Sequence, residues 1–499
     1  MSRSVFVAPP KCGWCCGQSR TDDFRKFAKG KWMRRLLLPG ILTLSALLAF
    51  TPTQAQETAA DFAPLVEVIE TQMQLQGAPG LAVAVIAGDA MVFSQGFGVR
   101  SIETDDPVTT ATLFRIGSTT KPLTAVGLLR LVEAGLVDLD APVVTYVPEF
   151  AVDPRITVRQ VLSHTAGLND ASTLYGRRDA PALEAYVASF TPESAFAPPG
   201  AVLSYASPGF DIAGRIIETV SGQFYEDYMA DHVFRLLNMP RTTLRPNIAI
   251  TYPVAVGHSP GPQGLQVVRP DPDNVAEYPA GFVFSTVEDL ANLARLLLND
   301  GALAGVNVLR ADLVEQMQTP VLEIEPGGRG YGLGLFTGEW RGLRQVGHGG
   351  AILGYATAFE LLPDQGVGVI VLANQSGFNA QPIVSAAFDL LVDPPPAPTA
   401  APPPQLSADE LAAYAGDYQQ SRVDGQVVIS LRISLTDDGR LLLLTPDAPP
   451  AELRPVRPEV FNAYLPNAQF PVTQVSFARD ADGRVQYLIA GFRAVARVR

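Results

Sequence analysis

Seven prolines crowd the twelve residues from Pro394 to Gln405. Proline fixes φ and removes a backbone donor, so this stretch can continue neither a helix nor a central strand. It reads as an extended, semi-rigid spacer over 394–405. The spacer divides the chain into two parts that must each bury a core. A length of 499 residues is in any case too much for one ordinary core. With 47 % hydrophobic and 17 % charged residues, both parts read as globular rather than disordered.

On the N-terminal side of the spacer, strand patterns frame a helical middle. Residues 81–86 and 91–97 are apolar runs around a turn at 87–90, the pattern of a hairpin. Apolar residues at helical spacing occupy 123–133, 210–220 and 287–298. Strand signals return at 331–336, 356–362 and 367–373, and a helix pattern at 383–391 follows. This order predicts an α/β (α+β) fold, one mixed α/β domain with an inserted helical domain, within 56–393. Beyond the spacer, 427–435 and 441–444 flank Asp437-Asp438-Gly439, and 475–478 and 485–489 flank 480–483. Strand pairs around such turns predict a small C-terminal antiparallel β domain, an open sheet or a barrel, over 406–499.

Residues 1–55 read as a targeting segment. Lys29, Lys31, Arg34 and Arg35 precede an apolar run at 36–50, and Thr53-Gln54-Ala55 offers a small-residue cleavage site. The run is broken by Pro39 and Gly40 and is shorter than the about 20 residues of a membrane span. A cleaved Sec-type signal and export to the periplasm or medium are expected, with membrane contact only if the segment is retained. The 32 residues before Met33 are foreign to a signal peptide, which puts the expected start at Met33. Cleavage after Ala55 leaves 28 basic and 48 acidic residues, a net charge of −20. A surface that acidic repels nucleic acid and anionic lipid, so neither is an expected partner. Cys12, Cys15 and Cys16 all precede Ala55, so the mature chain has no thiol nucleophile and suits an oxidising compartment. His164, His232, His258 and His348 are scattered without metal-ligand spacing, and no metal or cofactor is expected.

Lysine is the informative residue type. Lys121 is the only lysine beyond the targeting segment, although the chain holds 32 arginines. An ammonium sheds its proton when desolvated, whereas a guanidinium keeps it. Lys121 follows Ser118 by three positions, in a helix pattern that Gly117 opens and Gly135 closes, with Pro122 in its first turn. That spacing places the two side chains on one helical face, with Cβ atoms about 5–6 Å apart. A serine hydroxyl is a weak nucleophile until a base takes its proton, and an amine one turn away is a candidate base. Ser-x-x-Lys alone is a weak signal, because most such pairs are solvated helix faces. The scarcity of lysine strengthens it.

Four further segments follow in order. They are Leu162-Ser163-His164-Thr165-Ala166-Gly167-Leu168, then Tyr205-Ala206-Ser207 behind Pro198-Pro199-Gly200, then Pro279-Ala280-Gly281 through Asp289, then His348-Gly349-Gly350 before a strand pair. With Phe114 to Lys121 they make five ordered matches over 61–392. On these, the chain resembles the serine β-lactamase and penicillin-binding-protein superfamily. It is similar above all to the group of class C β-lactamases, D-alanyl-D-alanine carboxypeptidases, D-aminopeptidases and related esterases. The resemblance implies a β-lactamase/DD-peptidase-like mixed α/β fold, and Leu411 to Tyr418 is similar to the opening of the lipocalin-like β domains appended to some members. It further implies Ser118 as nucleophile, Lys121 as base, and Tyr205 as the phenol that passes a proton to the leaving group. The amides of Ser118 and Ala351 become the oxyanion hole, and Ser207, Gly349 and Gly350 face substrate.

Two positions depart from the family pattern. His348 stands where a lysine usually meets a substrate carboxylate; there it is expected to orient substrate and tune Tyr205. Ser207 replaces an amide side chain, which counts against efficient β-lactam hydrolysis. His164, between Ser163 and Thr165, reads as a hydrogen-bonded structural residue, and His232 and His258 as surface or core. The expected substrate is a small ester, peptide or β-lactam, with an esterase first and a D-amino-acid peptidase or carboxypeptidase second. A non-catalytic cell-wall-binding or sensor protein is the alternative of another class. The retained Ser118, Lys121 and Tyr205 argue against it.

Overall fold

Strand β1 (Gly80–Ala87) carries no charged or polar side chain, which suits a strand covered on both faces. Successive side chains point to opposite sides of a sheet. Ala82, Ala84 and Ile86 accordingly enter one buried cluster, and Leu81, Val83 and Val85 enter another. The computed structural model that shows this describes residues 60–324, 328–396, 402–421, 427–446 and 448–498. Residues 1–55, expected to direct export, with their cysteines and Met33, and residues 397–401 of the spacer lie outside the described residues.

The chain then lays down β2 (Ala90–Gly98), β3 (Leu322–Glu323), β4 (Gly330–Tyr331), β5 (Phe336–Trp340), β6 (Leu343–Gly347), β7 (Gly350–Ile352), β8 (Tyr355–Leu362) and β9 (Val367–Ala373). With β1 they form a nine-stranded antiparallel sheet in the order β2-β1-β9-β8-β6-β5-β4-β3, with β7 paired to β8. Helices α1 (Ala63–Gln76), α2 (Thr120–Glu133), α3 (Pro208–Ser221), α4 (Val287–Leu298) and α5 (Gln381–Leu391) cover it. Leu65 and Ile69 of α1 pack with Ile383, Val384 and Phe388 of α5 on one face. The other face meets α4 and the helices inserted between β2 and β3. The expected hairpin at 81–97 and the helix patterns at 123–133, 210–220 and 287–298 all fall on these elements.

The single strand expected at 331–336 is instead two. Tyr331 ends β4 and Phe336 opens β5, with a turn closed by the Gly332 N–H to Leu335 carbonyl bond at 2.9 Å. Gly332 and Gly334 supply the break, and the turn brings the Tyr331 and Phe336 rings together, centroids 4.7 Å apart.

The C-terminal part is a closed eight-stranded barrel, β10 (Gly416–Ser421), β11 (Val427–Leu435), β12 (Leu441–Thr445), β13 (Ala448–Arg457), β14 (Val460–Tyr464), β15 (Thr473–Arg479), β16 (Val485–Ala490) and β17 (Arg493–Arg497). Sequence patterning shows half of these strands; β13 is hidden because Pro449, Pro450 and Pro455 interrupt its alternation. Small barrels fill their interior with side chains. Here the rings of Tyr414, Phe461 and Phe477 pack with centroids 4.8–5.6 Å apart.

The barrel is not held by its linker alone. Tyr487, Ile489 and Ala494 belong to the same buried cluster as Ala82 and Ile86. A shared apolar core couples the two parts during unfolding, where a polar interface would let them move independently. Phe461→Ala should therefore destabilise by about 3–5 kcal/mol, the usual cost of removing a buried ring. Trp340, the only tryptophan in 56–499, lies in the sheet core and reports unfolding of the other part. Denaturant titration followed by Trp340 fluorescence should show the shift; an unchanged midpoint would mean that the barrel unfolds on its own.

Candidate active site

Ser118 sits in a single 3-10 turn, Gly117–Thr119, which runs straight into α2. Two glycines let the backbone close on this turn. Gly117 adopts φ +51°, and a Cβ there would lie 2.7 Å from the Ala351 nitrogen. A Cβ on Gly350 would lie 1.9 Å from the Ile116 carbonyl oxygen. Strand β7 is thus pressed onto the nucleophile turn, which brings the Ser118 and Ala351 backbones together. Thr119 donates its hydroxyl to the His348 carbonyl at 3.0 Å and pins the same junction. On the side where a Cβ would point, Gly350, expected to face substrate, is filled by the Ile116 carbonyl. Gly349 stays exposed beside it.

Lys121 is wholly buried although it lies near a helix start. Its Nζ lies 3.2 Å from Ser118 Oγ, 3.5 Å from Ser207 Oγ and 2.7 Å from the Ala280 carbonyl oxygen. Those partners come from α2's own entry, the start of α3 and the 278–281 helical turn. The segment around Ala280 therefore has a physical task, receiving the amine, that its sequence did not reveal. Ser207, expected to face substrate, faces the amine. The rings of Tyr205 and Phe210 flank Nζ at 4.9 and 5.6 Å to centroid. No carboxylate hydrogen-bonds Nζ among the described residues. Asp211, buried on α3, is no exception, since desolvation and then repulsion from Glu277 push its carboxyl well above the usual range.

Tyr205 is half-buried, and its hydroxyl makes no hydrogen bond to the described residues. Its ring lies against His164 at 4.2 Å and stacks on Phe336 at 5.9 Å. His164 is the structural residue that the sequence suggested: buried, it accepts the Ala206 N–H on Nδ1 at 3.2 Å and supports the ring from below. His232 stacks on Tyr228, and His258 is a core residue bonded to the Asn374 carbonyl at 2.9 Å.

His348 departs from expectation. It is 1 % exposed, so it cannot meet a substrate directly. Its Nδ1 donates to the Gly349 carbonyl at 2.6 Å, an assignment fixed by that carbonyl being acceptor only, and Nε2 then accepts the Tyr331 hydroxyl at 2.9 Å. Burial, with repulsion from Lys121 second, pulls its pKa down to about 3. The position is a neutral acceptor for Tyr331, not a cation, and its partner is Tyr331 rather than Tyr205. Tyr331 itself is buried, 6.4 Å from Tyr205 ring to ring. Nothing in the sequence marked Tyr331, because it lies outside every motif and meets His348 only through the sheet.

The barrel also enters the site. The β16–β17 turn reaches over Tyr205, whose N–H donates to the Phe492 carbonyl at 2.8 Å. Phe492 packs on Phe336 at 4.3 Å, and the Ala494 N–H donates to Ser204 Oγ at 3.1 Å. Arg493 pairs with Asp170, whose other oxygen takes the Ser207 N–H at 2.9 Å. No motif could show this, since these residues are separated by about three hundred positions in the chain.

Comparisons with known proteins give the family. The Beta-lactamase family model matches residues 65–393. Penicillin-binding protein 4 of Amycolatopsis lactamdurans is 32 % identical over 314 residues, 59 % of this chain and 81 % of that protein. Protein flp of Staphylococcus aureus (strain MW2) is 26 % identical over 321 residues, and the match spans 62 % of its length and 62 % of this chain. The crystal structure of SurE with D-Leu superposes with a TM-score of 0.69 at 27 % identity, covering 87 % of this chain and 99 % of that one. The octameric penicillin-binding protein homologue from Pyrococcus abyssi shares the fold, with a TM-score of 0.61 at 23 % identity over 88 % of this chain and 100 % of its own. With the Ser118 turn, the buried amine and the tyrosine all inside the matched residues, the chain belongs to the Beta-lactamase family, a superfamily of serine hydrolases that includes the penicillin-binding proteins.

Proposed function

We propose that this protein is an exported serine hydrolase that cleaves ester or amide bonds through an acyl-enzyme on Ser118. The observation that carries the proposal is the buried Lys121 amine 3.2 Å from Ser118 Oγ. Nζ also reaches the Ala280 carbonyl and Ser207 Oγ, which hold the nitrogen against the hydroxyl whose proton it is to take. Export rests on the N-terminal sequence pattern alone.

Ser118 Oγ attacks the substrate carbonyl carbon as its proton passes to Lys121 Nζ. The amides of Ser118 and Ala351 receive the resulting oxyanion; donors of this kind each contribute about 3 kcal/mol to lowering such barriers. Tyr205, its hydroxyl uncommitted, gives a proton to the leaving group as the bond to the carbonyl carbon breaks. Water then attacks the acyl-serine and gives a proton to the Tyr205 phenolate, the acid leaves as its bond to Oγ breaks, and Lys121 Nζ returns its proton to Ser118 Oγ. His348 acts at a distance, by fixing the Tyr331 phenol that packs beside Tyr205.

A second reading, hydrolysis at a D-amino acid, is supported by the likeness to a protein solved with D-Leu. Release of D-alanine from D-alanyl peptides, compared with turnover of short acyl esters, separates the two readings.

Burst kinetics on an activated ester test the nucleophile. Ser118→Ala should abolish the burst and lower turnover by about 10³-fold or more, and Lys121→Arg should do likewise because a guanidinium accepts no proton. An alanine variant with full turnover refutes the assignment. If a fluorescent phosphonate fails to label the wild-type protein, a non-catalytic binding role takes its place.

His348 sets a pH dependence of stability. Its folded-state pKa of about 3 lies below the ordinary value of about 6.5, so the unfolded chain binds this proton more tightly. The stability it confers is complete above about pH 6.5 and is lost as pH falls towards 3. The Tm advantage of wild type over His348→Gln should therefore shrink steadily from pH 7 to pH 4. A constant difference would show that His348 is not buried in its neutral form.

A further inference from the structure

The site needs a cation if it is to hold a carboxylate, and the usual position lacks one. His348 is neutral and buried, and Lys121 lies beneath Ser118 with its amine engaged by three oxygens. The other cation against Tyr205 comes from the barrel. The Arg493 guanidinium carbon is 5.8 Å from the Tyr205 ring centroid, and its side chain is about half exposed at 49 %. Its Nε, at 3.0 Å, and its Nη2 both donate to Asp170 Oδ2. Asp170 is mostly buried, and its Oδ1 is held by the Ser207 N–H at 2.9 Å. The guanidinium plane is thus fixed in orientation by a residue tied to the catalytic helix start. Nη1 has no hydrogen-bond partner among the described residues.

We propose that Arg493, carried into the cleft by the β16–β17 turn of the barrel, binds a free carboxylate on the leaving group of the substrate. The substrate class is an acyl compound whose departing amine, alcohol or thiol bears a carboxylate. The placement gives the side: Tyr205 protonates the leaving group, and Arg493 lies over the same ring. An arginine held in plane offers a directed donor where an ammonium offers only a point charge. Asp170 takes Nε and Nη2, which leaves Nη1 as the donor for a second carboxylate. The barrel on this account is a wall of the active site and a determinant of specificity. The inference rests on the acyl-enzyme reading of Ser118 given above.

Two thioesters of one acyl group test it with the full chain, thiol release being the readout. One leaving group is mercaptoacetate, with a free carboxylate; the other is its primary amide, mercaptoacetamide, nearly the same shape and uncharged. Wild type should favour the carboxylate through a lower KM. Arg493→Gln should raise KM for the mercaptoacetate ester about tenfold or more, as expected for loss of a hydrogen bond to a charged group, with kcat little changed. The amide ester should be unaffected, and Arg493→Lys should keep part of the preference. Equal losses on both esters would show that Arg493 only latches the barrel to Asp170, and would overturn the proposal. So would a wild type without preference for the carboxylate. If wild type cleaves neither thioester and Ser118 takes no phosphonate, it is the hydrolase reading that fails, and the carboxylate site falls with it.

Discussion

One buried nitrogen organises this protein. Lys121 Nζ is the point where the 3-10 turn of Ser118, the start of α3 at Ser207 and the carbonyl of Ala280 meet. Burying an amine is costly unless its hydrogen bonds are met, so each of those segments must be held where its oxygen reaches the nitrogen. The large buried cluster around α2 and α3 does that holding. The segment after Ala280 adds a second hold, because the Ile116 N–H donates to the Val283 carbonyl at 3.0 Å. Arg115, also buried, ties the strand before Ser118 to Asp271 and to the Phe282 carbonyl.

Around that nitrogen the site is built in layers of decreasing burial. Tyr331, His348 and His164 form a neutral floor, in which desolvation keeps both imidazoles uncharged. Tyr205 lies on this floor, with an uncommitted hydroxyl. Above it the Phe492–Arg493 turn of the barrel makes the outermost wall. A floor without charge matters physically, because a second cation beside the buried Lys121 would be repelled by it. His348 leaves the floor neutral, and Arg493 places a positive charge at the mouth.

The barrel therefore contributes by contact rather than by its own cavity. Its interior is packed with aromatic rings, whereas its outer face at β16 and β17 shares the hydrolase core. The described residues of the spacer, 394–396 and 402–405, enter neither sheet. What fixes the barrel's position is apolar burial at Tyr487, Ile489 and Ala494, and the hydrogen bonds at Ser204 and Tyr205 set the height of the turn.

Much of this was legible in residue order. Helices, the β1–β2 and β8–β9 hairpins and the Ser118–Lys121 pair follow from local periodicity and spacing, which depend on neighbours a few positions away. The loneliness of Lys121 was visible because composition is a property of the sequence. Tyr331 and Arg493 were not visible, nor was the inward, neutral state of His348. Their roles depend on contacts across the sheet and between domains, and no local pattern encodes which distant side chain will lie opposite. The sequence determined that a serine and an amine share one helical face. Only the tertiary structure decided which oxygens meet the amine, that His348 is buried without charge, and that the barrel's arginine reaches the tyrosine, because burial and long-range packing exist only once the chain has closed on itself.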